Sequence, residues 1–384
     1  MTDQTIFQLV KASLFTDENV ESSDWNSVFS EMKAQTIAAL PGEWLKNHQI
    51  PEKERWTQYC LIQQANWVRV MHGQDQLLKL LDQHGIPCVV LKGAAAAVAY
   101  PYPMLRTMGD VDFLVKRCDF DKATLLLEET GYKMCNEDDP LSYHYMFFKD
   151  GIRFELHKRV SSVDKSNKQI VSLFEAGIDN SEDIEICGYQ FPILPTELNG
   201  LVLIFHINHH IRSGLGLRQI IDWMMFVNTC SDEEWNRMLP LLRETGMEKL
   251  AITVTVMCQE FLGLREIVNT IDGYACDDLM SYILENGNFG RKTGHGGKET
   301  SFALSTSNVK RLFNRLQLGG LSQWNAAKKY KWARPFAWIY QVFRIIGEIA
   351  GNQESLTEII AHSKKGIEQR KLIEALGLTV DDTI

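Results

Sequence analysis

Asp110 and Asp112 stand one residue apart in Gly109-Asp110-Val111-Asp112-Phe113-Leu114-Val115, a run that alternates as a half-buried strand does. Strand side chains point alternately to opposite faces, so both carboxylates leave the same face. Held that close they repel unless a cation lies between them. Mg²⁺ is the natural occupant, a hard ion that takes one or two protein carboxylates and keeps its other positions for water and phosphate oxygens. Such a pair also occurs on strand edges without function, so its neighbours decide its meaning. Upstream, Leu91-Lys92-Gly93-Ala94 closes a β-rich run (Pro87 to Leu91) and enters a helix of tiny residues, where backbone amides can approach a phosphate. Lys92 puts a cation at that corner. Downstream, Arg153, Glu155 and His157 alternate with Phe154 and Leu156, giving a third carboxylate on one strand face. If that strand lies beside Asp110–Val115, then Asp110, Asp112 and Glu155 make a nest suited to two metal ions clamping an in-line phosphoryl displacement.

Positioning these residues requires a mixed architecture. Residues 1–85 read as helices: between Trp56 and Leu81 the residues Leu61, Ala65, Val68, Leu77, Leu80 and Leu81 recur mostly every three or four positions, and Gly85 with Pro87 stops the pattern. Residues 86–160 read as a β-α-β-α-β-β unit, with a helix from Asp119 to Thr130 ended by Gly131, and Asp150-Gly151 as a hairpin turn between two alternating runs. A further hairpin is expected at Ile184 to Leu194. Helical patterns follow at 197–212, 217–227 and 233–246, and a glycine-rich segment at 287–297. The division expected is 1–85, an N-terminal helical segment; 86–195, the core that carries the carboxylates; and 196–384, a helical C-terminal domain. The fold class is α+β, a small mixed β-sheet core with flanking helices plus a mainly α-helical C-terminal domain.

The run LKGAAAAVAYPYPMLRTMGDVDFLV (91–115), followed by RFELH (153–157), resembles the uncharacterised nucleotidyltransferase family within the DNA polymerase beta-like nucleotidyltransferase superfamily. That pattern is a strand, a Gly-Gly or Gly-Ser pair opening a helix, a D-x-D or D-x-E strand, and later a third carboxylate; Gly93, Asp110, Asp112 and Glu155 match it. FHINHH (205–210), GLRQIIDW (216–223) and GNFG (287–290) are similar to later motifs of the branch, so the resemblance covers about residues 60 to 290. It implies transfer of a nucleoside monophosphate from a nucleoside triphosphate such as ATP to a hydroxyl of an acceptor, with pyrophosphate leaving. Asp110 and Asp112 would hold Mg²⁺ or Mn²⁺ on the triphosphate, and Glu155 would bind the catalytic ion or take the acceptor's proton. Lys92, Gly93 and Ala94 would address the nucleotide, with Arg106 neutralising a phosphate through its fork. A small hydroxylated acceptor is preferred over a protein side chain. Two departures stand out: Ala94 replaces the second glycine or serine, and 17 positions separate Gly93 from Asp110. A nucleotide-binding relative without catalysis, and a phosphohydrolase using the same carboxylates, therefore stay open beside the transferase.

Weaker signals surround this core. His206 and His210 share a helix face beside His209, and no H-E-x-x-H pattern accompanies them, which leaves metal ligation, polar packing and substrate contact as readings. Arg218 and Asp222, one turn apart, suit an intrahelical ion pair, and the resemblance places them with His157, His206 and His210 along the acceptor cleft. Gly296-Gly297-Lys298 fails as a Walker A loop, because Lys292 stands at the first glycine and Glu299 at the Ser/Thr. The basic aromatic stretch Lys328 to Arg344 reads as a solvated helix with one buried aromatic face. Composition bounds the rest. With 40 Lys+Arg against 49 Asp+Glu the net charge is -9, which argues against DNA as a partner. The eight cysteines include no C-x-x-C pair. No signal-peptide pattern opens the chain, and Phe336 to Gly351 is interrupted by Arg344 and Glu348 and is shorter than the roughly 20 apolar residues of a span. A cytoplasmic protein without stable membrane insertion is the expectation.

Overall fold

The computed structural model describes residues 2–135, 144–160, 168–269, 275–288, 292, 330–340 and 367–378. Helices α1 (Thr2–Lys11), α2 (Trp25–Ala34), α3 (Trp44–Asn47) and α4 (Lys53–Gln83) open the chain. α4 is the long helix its periodicity implies, and it buries Leu77 and Leu81 of the expected stripe, but its first half turns a different stripe inward. Trp56, Cys60, Trp67, Val70, Met71, Leu77 and Leu81 face inward, while Leu61, Ile62 and Val68 are 58%, 63% and 43% exposed. The two indoles decide the face, since each carries more apolar area than any aliphatic rival; Trp56 also donates to the Ala38 carbonyl at 2.6 Å.

Next come β1 (Cys88–Leu91), α5 (Gly93–Ala97), β2 (Asp110–Val115), α6 (Phe120–Glu129), β3 (Lys133–Met134), β4 (His144–Lys149), β5 (Ile152–His157), α7 (Lys168–Asp179), β6 (Glu182–Ile186) and β7 (Tyr189–Ile193). The strands form one mixed sheet of order β3-β4-β5-β2-β1-β7-β6. β1 is antiparallel to β2 and parallel to β7, and β2 is parallel to β5. The sheet therefore has one short strand, β3, beyond the expected β-α-β-α-β-β unit, and it reaches forward in sequence to take in the β6–β7 hairpin. Both hairpins turn on residue pairs with positive φ, Asp150 (51°) with Gly151 (74°) and Cys187 (50°) with Gly188 (84°), the geometry whose twist matches that of the strands.

The two sheet faces bury different cores. Val90, Val111, Phe113, Phe154 and Leu156 pack with Trp67, Val70 and Leu77 of α4 and Phe120 and Leu127 of α6. Val89, Leu91 and Leu114, on the opposite face, join the larger core of the C-terminal helices. Those are α8 (Thr196–Ser213), α9 (Leu217–Thr229), α10 (Asp232–Glu244), α11 (Glu248–Phe261) and α12 (Cys276–Asn286). A capping box starts α10: the Glu234 amide donates to Ser231 Oγ at 3.2 Å and the Ser231 amide to Glu234 Oε2 at 2.8 Å. The chain is thus an α+β protein with a seven-stranded mixed sheet and a helical C-terminal region. All eight cysteines are free. No helix among the described residues is long and apolar enough to cross a membrane. Most of the glycine-rich segment 287–297, residues 328–329 and 341–344 of the basic aromatic stretch, and residues 341–351 of the apolar stretch lie outside the described residues.

Candidate active site

Register brings the chemistry together. Asp110 lies opposite Arg153 and Asp112 opposite Glu155 across the parallel β2–β5 pair, and His157 lies opposite His144 across β4–β5. Because side chains alternate, Asp110, Asp112, Arg153, Glu155, His157 and His144 all project from the face that looks toward the C-terminal helices. Oxygens of Asp110, Asp112 and Glu155 fall within 4.8 Å of one another, as do ligand atoms of His144, Glu155 and His157.

Fixed charges hold this cluster. Arg153 Nη2 donates to Asp110 Oδ2 at 2.8 Å. Lys92 Nζ sits 2.8 Å from Asp112 Oδ1, the same oxygen that His157 Nε2 approaches at 2.9 Å. Burial opposes the charge on Lys92, yet Asp112, Glu155 and Asp110 outweigh it and raise its pKa. Burial likewise favours protonated Glu155, but the His157 imidazole facing it and the Lys92 charge bring it down to about 2. His157 is opposed by burial and raised by its bonds to Asp112 and Glu155. Burial and then the neighbouring His157 lower His144 to about 4. The corner that delivers Lys92 is unusual, since its φ of 45° and ψ of -132° lie where only glycine rests without cost. Gly93 follows at φ 27°, and a Cβ there would come 3.6 Å from the Asp110 carbonyl oxygen. Ala94 is 1% exposed and its methyl packs in the core with the sheet.

The opposite wall comes from α8 and α9. His206 and His210 approach Nε2 to Nε2 at 2.9 Å, a distance that one N–H and one bare ring nitrogen share. Burial depresses both pKa values strongly; His210 adds to the effect on His206 and His209 to that on His210, and the charges of Lys92 and Arg218 reach both rings. Asp222 accepts two bonds from Arg106, Nε at 2.8 Å and Nη2 at 2.7 Å, and one from the Tyr100 hydroxyl at 2.7 Å. Arg106 is therefore not placed as a phosphate ligand: it is 4% exposed and its fork is spent on Asp222. Nor does Asp222 work chiefly along its own helix, since both its oxygens are engaged by the loop between α5 and β2. Arg218 reaches the residue before β2, with Nη1 4.0 Å from where a Cβ of Gly109 would stand. Burial, and then repulsion from Arg106, lower its pKa.

Supporting residues beyond the sequence reading also emerge. Asn66 on α4 donates to the Met108 carbonyl at 2.9 Å, and Arg69 donates to the Gly151 carbonyl at 3.0 Å and to Asn66 Oδ1 at 2.8 Å, bracing the approach to β2 and the hairpin turn. His144 could have been found from the Asp150-Gly151 turn, because pairing Lys149 with Ile152 fixes His144 against His157. Tyr100 and Asn66 carry no comparable local signal.

These histidines set an acid limit. His144, His206 and His210 stay neutral when folded, whereas the unfolded chain protonates them near pH 6.5. The unfolded state then binds more protons, so stability falls as pH drops from about 6.5 toward 4. His157 acts in the opposite sense: its contribution is complete below pH 6.5 and is lost as pH rises through its higher folded value. With three rings against one, the urea midpoint is expected to fall between pH 7 and pH 5. The double substitution His206→Gln/His210→Gln should flatten that dependence; an unchanged slope would refute the assignment.

Over residues 21–263 the chain matches the family described as uncharacterised nucleotidyltransferase, a span that holds every residue discussed from Lys92 to Asp222. The chain belongs to that family. The match begins upstream of the stretch that carried the sequence resemblance, taking in α2 through α4, and ends at Gly263. Among solved structures, that of an antigenic nucleotidyltransferase-like protein from Paracoccidioides brasiliensis is similar at 16% identity and a TM-score of 0.31, over 50% of this chain and 96% of that one. No curated relative matches. In this nucleotidyltransferase-family protein, the donor set of three convergent carboxylates suits a hard divalent cation.

Proposed function

We propose that the protein is a Mg²⁺- or Mn²⁺-dependent nucleotidyltransferase that moves a nucleoside monophosphate from a nucleoside triphosphate to a hydroxyl of a small molecule. The observation that carries this reading is the convergence of Asp110, Asp112 and Glu155 on one sheet face, at the corner where β1 delivers Lys92. A divalent ion held by the three carboxylates would neutralise the triphosphate and polarise the phosphorus under attack. Glu155, with a pKa of about 2, is a poor proton acceptor near neutral pH and serves as a ligand. Arg218 supplies the charge that meets the phosphates, taking the part that spacing alone suggested for Arg106, while Lys92 holds Asp112 in place. The His206–His210 pair, kept neutral by burial and bonded ring to ring, stands on the α8 side as an uncharged polar surface rather than as a proton acceptor.

The test uses α-³²P- and γ-³²P-labelled triphosphates with Mg²⁺ and a small-metabolite extract. Transfer places the α label on an acceptor, with one pyrophosphate released per adduct. Free labelled mono- or diphosphate without an adduct would instead indicate the hydrolase, and binding without turnover the non-catalytic relative; either result overturns the proposal.

A further inference from the structure

We infer that His144, Glu155 and His157 form a second cation site, built for a borderline divalent ion of the Mn²⁺ to Zn²⁺ series and sharing Glu155 with the carboxylate cluster. The three side chains come from two antiparallel strands in one register: His144 faces His157, and Glu155 lies two residues along β5 on the same face. Glu155 Oε2 is 3.7 Å from His157 Nε2 and 3.9 Å from His144 Nε2, and the ring centroids are 5.1 Å apart. Bonds of about 2.0–2.2 Å from one ion to imidazole nitrogen and carboxylate oxygen would draw these donors together by only a few tenths of an ångström each. Asp112 Oδ1, 2.9 Å from His157 Nε2, is near enough to add a further oxygen.

The charges are divided in a way that favours this side of Glu155. Asp110 and Asp112 each have a cation at 2.8 Å, Arg153 and Lys92 respectively. Arg153 Nε is 3.8 Å from Glu155 Oε1, while Oε2 lies on the side of the two imidazoles. Imidazole nitrogens beside an anionic oxygen select transition ions over Mg²⁺, which prefers oxygen ligands, and binding would release the His157 Nε2 proton to solvent. The same sheet face would thus sort two kinds of cation, a hard ion among the carboxylates and a borderline ion toward β4. This inference concerns the metal alone and does not rest on the transferase reading.

The experiment is a titration of the nucleotide-free full chain with Co²⁺, read by its visible absorption, paired with pulsed electron paramagnetic resonance of bound Mn²⁺. The expected result is one equivalent of Co²⁺ with nitrogen-containing coordination, ¹⁴N couplings on Mn²⁺, and at least about tenfold weaker Co²⁺ binding in His144→Gln. Asp110→Asn should leave the ¹⁴N couplings in place, separating this site from its neighbour. The couplings are read on the native chain, so the test survives a variant that folds poorly. Mn²⁺ bound through oxygen alone, no Co²⁺ binding, or an identical Co²⁺ spectrum in native and His144→Gln proteins would overturn the inference. Loss of nucleotidyl transfer with intact ¹⁴N couplings would count against the transferase proposal and not against this one.

Discussion

Asp110→Asn is expected to lower nucleotidyl transfer by about 10³-fold, roughly 4 kcal/mol of transition-state stabilisation, while the melting temperature stays nearly unchanged. Asp110 and Arg153 are 26% and 47% exposed, and a pair with that much solvent contributes at most about 1 kcal/mol. Asp112→Asn should lose the same activity and also destabilise the fold. Asp112 is 5% exposed and accepts from Lys92, itself 16% exposed, and from His157, which is 1% exposed. Neutralising it leaves an ammonium without its closest anion in a dry place, a change that typically costs about 3–5 kcal/mol. Single-turnover transfer and thermal unfolding of the two variants check the split. If Asp110→Asn keeps more than about a tenth of native activity, the carboxylates are not holding the catalytic cation.

The second large effect is structural. Asp222→Ala is expected to cost about 3–5 kcal/mol, because it strands the Arg106 guanidinium inside the protein and removes the acceptor of the Tyr100 hydroxyl. Arg106→Leu should cost a similar amount by orphaning Asp222. The double variant Arg106→Leu/Asp222→Leu should recover much of either loss, since it removes both buried charges together. Urea unfolding measures all three. The contrast with a phosphate-binding arginine is direct: in that role Arg106→Leu would raise KM for the triphosphate and spare stability, and such a result would refute the assignment.

Much of the site was legible because its signals are local. Alternation exposed Asp110 and Asp112 as a same-face pair and set Glu155 in line with Arg153 and His157, while Asp150-Gly151 announced the hairpin that fixes their neighbour His144. These features rest on a backbone period of two and a two-residue turn, and both survive into the fold. The Arg106–Asp222 bond was hidden for the opposite reason. Its partners are 116 residues apart and meet only once α9 docks against the loop before β2. Each residue looked functional alone, and only their contact reveals a clamp. The buried face in the first half of α4 escaped because two stripes of similar period compete there, and tertiary packing of Trp56 and Trp67 chose between them, whereas Leu77 and Leu81 are buried as expected. The side chain of Ala94 looked like a lost phosphate contact, but the orientation of α5 turns it into the core, so the departure from the family pattern falls on packing. That β7 would pair with β1, and so enlarge the sheet beyond the hairpin, depends on a crossover of some hundred residues that no local pattern encodes.

Lys92 offers a way to tell use from disuse. Its backbone occupies a region that costs a non-glycine residue about 1–3 kcal/mol, and the side chain it presents is spent neutralising carboxylates. Where those carboxylates are also lost, nothing local repays that strain, and glycine becomes the more stable residue. In a lineage that abandons the site, drift at this position should therefore run toward glycine and be rewarded with a firmer fold. Lys92 is a place where decay of function would be recorded as a gain in stability.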